Sequence, residues 1–291
     1  MMFFTVDRDK CNLCGDCLDE CAFRLLEMKT RDSLPTARDV EFKSAEERCI
    51  DCGHCVAVCP TGALTLQART HAGREVAKQG PEDCLPILPE LIVSPEQVAQ
   101  LLMARRTFRA YHDKPVPRET LEKIIRVARY APSSHNTQAE TWLVISDKME
   151  IRRLGQTVID WMRSMSQEAP EFYRQIDADV IVDLWEKGED SVFRGAPHLI
   201  ILHADSYLGG LHASRFNFPI RLAYFELAAV PYGLGTVWGG FFVAALQLWP
   251  PAQQALGLPE GQEAFDAMSI GYPKNQYRRI PMRNEPSLTW R

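Results

Sequence analysis

Eight of the nine cysteines fall in two runs, "CNLCGDCLDEC" (Cys11, Cys14, Cys17, Cys21) and "CIDCGHCVAVC" (Cys49, Cys52, Cys55, Cys59). Both runs have the spacing C-x2-C-x2-C-x3-C. Two-residue loops between three successive thiols let a chain wrap around one metal–sulfur cube, whose corners need four thiolates. Zinc sites are built from pairs of C-x2-C that supply four thiolates per ion. A third cysteine at the same interval is surplus to that pattern in both runs. The chemistry indicated is single-electron transfer through two 4Fe–4S clusters.

Residues 1–68 resemble bacterial-type ferredoxins that carry two such clusters. The resemblance implies a crossed ligand set, because the fourth cysteine of each run serves the other cluster. Cys11, Cys14, Cys17 and Cys59 would hold one cluster, and Cys49, Cys52, Cys55 and Cys21 the other. Pro60 follows Cys59 as in that family, whereas Ala22 follows Cys21 where the family usually has proline. "TGALTLQ" (Thr61 to Gln67) reads as the short strand that closes such domains. Cys84 stands apart and reads as a linker cysteine.

These cysteines must be carried by something. At roughly 100–200 residues per domain, 291 residues suggest two domains. Net charge is −5, from 33 basic and 38 acidic side chains, so no basic excess points to nucleic acid. The opening "MMFFTVDRDKC" lacks the apolar core and cleavage site of a signal peptide. Unpaired metal-ligating thiols fit a reducing cytoplasm, and the cofactor type fits an anaerobic host. The most apolar stretch, Leu222 to Leu248, contains Glu226, Pro231 and four glycines, which argues against a membrane span. Pro81, Pro86, Pro89 and Pro95 crowd one region, so residues 69–93 read as an extended, proline-rich linker. Residues 94–291 form the second domain.

That domain opens with "SPEQ", where Ser94 caps, Pro95 takes the first helical position and Gln97 completes a capping box. The helix runs into "RRTFR". Arg105, Arg106 and Arg109 around Thr107 offer guanidinium forks and a hydroxyl, which suit a phosphate, or simply a solvated basic face. A second helix follows, with Leu121, Ile124, Ile125 and Ala128 at i, i+3, i+4 and i+7. It stops at Ala131-Pro132, before a polar knot from Ser133 to Gln138 and a strand, "TWLVIS". Phe218 to Val230 is apolar almost all round and reads as a buried core helix. The glycines at 233, 235 and 239 do not form a dinucleotide fingerprint, since position 238 is Trp238 and a helix precedes them.

Arg-Arg-Thr-x-Arg, "APSSHNTQ", "FRGAPHLIIL", "AVPYGLGTVWGGFF" and "SIGYPKNQYRRIPMR" occur in this order and together resemble the FMN-dependent nitroreductase family. The resemblance implies an α+β fold with a central antiparallel-type sheet packed with helices, in an intertwined homodimer with FMN at the interface. It implies that Arg105, Arg106, Thr107 and Arg109 hold the FMN phosphate and ribityl chain. Pro132, Ser133, Ser134 and Asn136 would approach the flavin from the partner subunit. Gly239 and Gly240 would present backbone near the reactive edge, and Arg279 or Arg283 would close on the phosphate. His135 and Ser134 are the candidates for proton delivery, since the flavin itself carries the chemistry.

The two halves together predict an iron–sulfur flavoprotein oxidoreductase. A redox donor such as ferredoxin or NAD(P)H would load it, and a nitroaromatic, quinone or activated alkene would accept the electrons. The opposite direction, with substrate oxidised at FMN and electrons leaving through the clusters, is equally compatible with the residues. So is a non-enzymatic electron-transfer module of a larger complex. Trp161, Met162, Met165, Phe172, Tyr173 and Trp185 supply either a lid over the flavin or plain helix packing.

Overall fold

The computed structural model describes residues 3–38, 41–71, 74–205 and 213–291. They divide into two compact units. The first comprises the residues up to Ile92 together with His135–Thr137, and the second comprises Val93–Ser134 and Gln138–Arg291.

The first unit is two similar halves. Its elements are β1 (Phe4–Val6), α1 (Asp16–Asp19), β2 (Leu26–Glu27), β3 (Thr36–Ala37), α2 (Ala45–Arg48), α3 (His54–Ala57) and β4 (Leu64–Leu66). β1 and β4 pair antiparallel, Phe4 opposite Leu66 and Val6 opposite Leu64, as the "TGALTLQ" reading expects. Each of α1 and α3 starts from a left-handed glycine, Gly15 at φ 87° and Gly53 at φ 74°. An L side chain is strained in that conformation, so glycine lets the thiol loop turn abruptly into the helix. The core under both halves is Phe3, Phe4, Leu25, Leu26, Val56, Leu64 and Leu66, with Cys17 among them.

Residues 69–93 are more than the extended connector that their prolines suggest. They begin with a hairpin, β5 (Arg69–His71) and β6 (Arg74–Val76). The backbone of Gln79 then exchanges hydrogen bonds with that of Leu66, at 2.9 and 3.0 Å. Pro81 and Pro89 each start a single 3-10 turn. Proline costs nothing there, because the first N–H of a turn has no partner to lose. Proline density excluded a long helix but carried no information about the hairpin.

The second unit is built on one antiparallel sheet, ordered β7 (Thr141–Ile145), β8 (His198–Asp205), β10 (Gln262–Gly271), β9 (Gly235–Trp238). Its helices are α4 (Pro95–Ala104), α5 (Arg118–Ala128), α6 (Lys148–Glu168), α7 (Pro170–Gln175), α8 (Ala178–Glu186), α9 (Ala213–Ala229), α10 (Gly240–Leu248) and α11 (Pro250–Gln254). Both sheet faces are covered, which explains the unbroken apolar run in β8. Leu199 and Ile201 pack with residues of α6, α8 and α10, while Ile200, Leu202 and Ala204 pack with those of α5 and α9. The capping box of Ser94 and Gln97 forms as expected.

Two expectations change. Trp161, Met162, Met165 and Trp185 belong to the core on the α6 side, so they are packing and no lid. The α9 segment is only half core. Phe218, Leu222, Phe225 and Ala229 are buried, but Phe216, Ile220 and Tyr224 are exposed. An all-round apolar pattern means that both faces need cover, and within one chain the sheet supplies cover for one.

Candidate cofactor sites

The eight cysteines surround two cavities. One is lined by Cys11, Cys14, Cys17 and Cys59, with Leu13, Gly15, Pro35 and Leu64. The other is lined by Cys21, Cys49, Cys52 and Cys55, with Phe3, Phe4, Ile50 and Gly53. In each cavity, three thiols come from one run and the fourth from the other. The arrangement follows from the strand pairing, because β1 and β4 fold the ends of the two halves together. Each fourth cysteine also sits in the same local bond. Leu25 N–H donates to Cys21 Sγ at 3.3 Å, and Ala63 N–H donates to Cys59 Sγ at 3.2 Å.

The electrostatics group the thiols in the same way. Burial, then the neighbouring Cys14 and Cys59, push the Cys17 thiol up to about 11. Burial, then Cys49, Cys52 and Cys21, push Cys55 up to about 12. Burial pushes Cys49 up to about 11. At Cys59 burial also pushes upward, but the Ala63 N–H and the Thr61 hydroxyl outweigh it and lower the thiol. Four thiolates cannot share a buried pocket without positive charge among them. Among the described residues, no three His, Cys, Asp or Glu side chains converge to hold a single metal ion. The donor set fits a multi-iron cluster, whose irons supply charge at several corners.

The arginine-rich turn lies against β9. Thr107 bridges Thr236 in parallel, and Phe108 N–H donates to the Thr236 carbonyl at 2.9 Å. Arg105 Nη1 lies 3.3 Å from Glu226 Oε1 on α9. The same carboxylate takes the Thr236 hydroxyl at 2.8 Å and the Trp238 indole N–H at 3.5 Å. Arg106 donates to the carbonyls of Met103 and Arg105, and its buried Nε has no partner among the described residues. Arg105 and Arg106 line a cavity of about 840 Å³ with Phe108, Gln97, Gln100 and Tyr277.

Arg109 faces a different cavity, shared with Arg194, Lys274, Asp113, Glu189 and Asp190. Asp190 is occupied by the N–H groups of Val192, Phe193 and Gly195, and Asp113 pairs with Lys148. Two of the three acids there are thus already engaged. Burial, then the nearby Arg109, lowers Arg194. Two guanidiniums in mutual repulsion suit an anionic group in this cavity, and the orphaned Arg106 Nε belongs to the other one.

The remaining candidates are distributed more widely. Ser134 N–H donates to Asn217 Oδ1 at 3.0 Å, and Gln138 N–H to Ser133 Oγ at 3.3 Å. His135, Asn136 and Gln138 all have positive φ, between 42° and 52°. Such a run of left-handed non-glycine residues is a strained loop, of the kind found at functional sites. Within the first unit, Asn136 Nδ2 donates to the carbonyls of Ile50 and Asp51, and the His135 ring stacks on Phe23 with centroids 6.1 Å apart. Gly239 lies against Ala267, while a Cβ on Gly240 would meet open space. Arg279 and Arg283 are exposed, on a tail whose Tyr277 hydroxyl donates to the Thr107 carbonyl at 3.4 Å.

The sequence reading missed Glu226, Arg194 and Lys274. Arg194 and Lys274 lie inside the quoted motifs "FRGAPHLIIL" and "SIGYPKNQYRRIPMR", but nothing in their spacing singles them out. Glu226 was visible as the lone acid in an apolar helix, which is a usable signal for a buried partner.

Residues 102–272, more than half of the chain, match the nitroreductase family. The chain belongs to that family. Residues 10–63 and 48–87 match the 4Fe-4S dicluster domain. This nitroreductase-family oxidoreductase therefore carries an iron–sulfur domain. An Archaeoglobus fulgidus protein named "Putative NADH dehydrogenase/NAD(P)H nitroreductase" is 25% identical over 181 residues, 62% of this chain and 88% of its own length. Iodotyrosine deiodinase of Nematostella vectensis is 26% identical over 204 residues, 66% of this chain and 72% of its own. A Bacteroides fragilis nitroreductase with bound FMN superimposes with a TM-score of 0.53 at 18% identity, covering 67% of this chain and 98% of its own. A Desulfitobacterium hafniense nitroreductase with bound FMN gives 0.52 at 20% identity, covering 68% and 100%. These structural likenesses bear on the fold. Among the described residues, no helix is long and apolar enough to cross a membrane.

Proposed function

We propose that this nitroreductase-family chain passes electrons between two 4Fe–4S clusters and FMN and uses them to reduce an organic acceptor. The observation that carries the reading is the pair of four-cysteine cavities on the same chain as a nitroreductase domain. Cys11, Cys14, Cys17 and Cys59 hold one cluster, and Cys21, Cys49, Cys52 and Cys55 the other. Bound to the second unit, FMN would exchange single electrons with the clusters and deliver two to an acceptor.

The chain's own residues bind and orient. Arg105, Arg106, Thr107 and Arg109 supply the cations and hydroxyl for the phosphate and ribityl chain, Arg105 and Arg106 from one cavity and Arg109, with Arg194 beside it, from the other. Glu226 holds Arg105 and the start of β9 in fixed relation, so the guanidinium is placed before the anion arrives. The open space over Gly240 leaves backbone accessible to a ring. The exposed Phe216, Ile220 and Tyr224 on α9, with Val127 and Tyr130, support a homodimer that covers them. In it, Pro132, Ser133, Ser134 and Asn136 reach the partner's flavin, and His135 or Ser134 delivers protons.

The test is anaerobic steady-state turnover of the purified holoprotein. Reduced ferredoxin and NAD(P)H are compared as donors, against nitroaromatic, quinone and activated-alkene acceptors. An iodophenol belongs in the panel because curated relatives are named for deiodination. Turnover of one acceptor class, lost in Arg109→Gln, supports the reading. No turnover of any acceptor with either donor would falsify it.

A further inference from the structure

The two cysteine runs coincide at a constant offset, Cys11 to Cys49 and Cys21 to Cys59, 38 positions in each case. The same offset relates Leu13 to Asp51 and Arg31 to Arg69. Leu13 and Asp51 share a left-handed backbone, φ 61° and 54°, so the two thiol loops have one shape. They differ in charge. Arg31 is exposed, whereas only 7% of the Arg69 side chain is accessible.

Arg69 is spent on the loop that carries Cys49. Its Nη2 and Nε meet Asp51 Oδ1 at 2.6 and 3.2 Å. Nη1 donates to the Glu46 carbonyl at 2.6 Å, and Nη2 also donates to the Cys49 carbonyl at 3.1 Å. The guanidinium lies 5.4 Å from the Phe3 ring centroid. The same Asp51 oxygen is 3.8 Å from Cys49 Sγ. A buried ion pair carries a desolvation cost and is weak evidence for stability alone. Here it is placed beside one set of thiols, and the equivalent positions of the other set hold a leucine and an exposed arginine. Charge and hydrogen bonding around cluster sulfurs are what set a cluster's potential.

We propose that the Arg69–Asp51 pair makes the two clusters electronically inequivalent, by fixing the potential of the one held by Cys21, Cys49, Cys52 and Cys55. This rests on the cluster assignment of the preceding section. Arg69 is a positioning residue. It anchors the Cys49 loop through two carbonyls and neutralises a carboxylate that lies next to a ligand sulfur. With Arg69 removed, one positive charge is lost from beside that sulfur. Adding an electron to the neighbouring cluster becomes harder, and its potential falls. With the Asp51 charge removed, the cation remains and the potential rises.

The experiment is an anaerobic redox titration of the full-length holoprotein, with dithionite giving one electron to each cluster and EPR following each signal. Wild type is compared with Arg69→Gln, Asp51→Asn and the exposed control Arg31→Gln, with iron counted in every sample. In Arg69→Gln one of the two midpoint potentials should move negative while the other stays. In Asp51→Asn the same one should move positive. Arg31→Gln should leave both in place. If Arg69→Gln loses iron, Asp51→Asn decides, because it leaves the two carbonyl bonds of Arg69 available. Unchanged potentials in both variants, equal shifts of both clusters, or loss of iron from both variants overturns the proposal and leaves Arg69 a structural staple. Wild-type protein without iron–sulfur signals would instead defeat the cluster assignment itself.

Discussion

Arg105 and Glu226 are 121 residues apart in the chain, yet their side chains meet at 3.3 Å beneath the start of β9. Glu226 is buried and also takes the Thr236 hydroxyl and the Trp238 indole. Glu226→Ala leaves three donors without their acceptor, and should cost about 2–4 kcal/mol in urea unfolding. A double-mutant cycle with Arg105→Gln and Glu226→Gln should show coupling, with the pair costing less than the sum. Additive effects would mean that the contact does not organise the turn.

The crossing of the cysteine sets makes a sharper demand. Cys21→Ala and Cys49→Ala remove thiols of the same cavity although they lie in different runs. Both should retain about half of the roughly eight iron atoms and leave the same residual EPR spectrum. Cys59→Ala and Cys11→Ala should form the complementary pair. Were Cys21→Ala to match Cys11→Ala instead, each run would hold its own cluster.

Much of this was readable from residue pattern. The thiol spacing is local, so the iron–sulfur character of the first unit could be read without any tertiary knowledge. The capping box at Ser94 and the period of Leu121, Ile124 and Ala128 placed their helices for the same reason. What could not be read depends on distant pairing. Arg69 looks like one arginine among many until the hairpin carries it under Asp51, and Glu226 meets Arg105 only once α9 crosses the sheet. Trp161 and Met162 show the limit from the other side. Large apolar side chains at helical spacing serve a lid or a core equally well, and only burial separates the two.

Gly235 tests how tightly the arginine-rich turn is held. A Cβ there would sit 2.4 Å from Phe108 Cδ2. Phe108 stands between Thr107 and Arg109, so it cannot give way without moving both. Gly235→Ala should lower stability by about 1–3 kcal/mol through overpacking. It should also reduce the flavin that stays with the protein through gel filtration. Combining it with Phe108→Ala should recover stability. A fully stable, flavin-replete Gly235→Ala protein would show that the turn tolerates displacement.

Asp266 gives a pH dependence of defined sign. It lies on β10 at an irregularity in the β8 pairing and shares a cavity with Arg215 and Glu263. Burial pushes its carboxyl up to about 6, against the pull of the Ala267 N–H, which it accepts at 3.1 Å. The folded state therefore holds the proton longer than the unfolded chain does. The stability it contributes is present in full below the ordinary carboxylate range and is lost as pH rises through about 6. Asp266→Asn keeps the acceptor oxygen for Ala267 and removes the charge. Between pH ~5 and ~8, wild type should lose about 1 kcal/mol relative to this variant, since each unit of pKa shift corresponds to about 1.4 kcal/mol. Urea unfolding of both proteins across that range gives the difference directly, with all other titrating groups cancelling. Parallel curves would mean that Asp266 is solvated or paired in the folded protein.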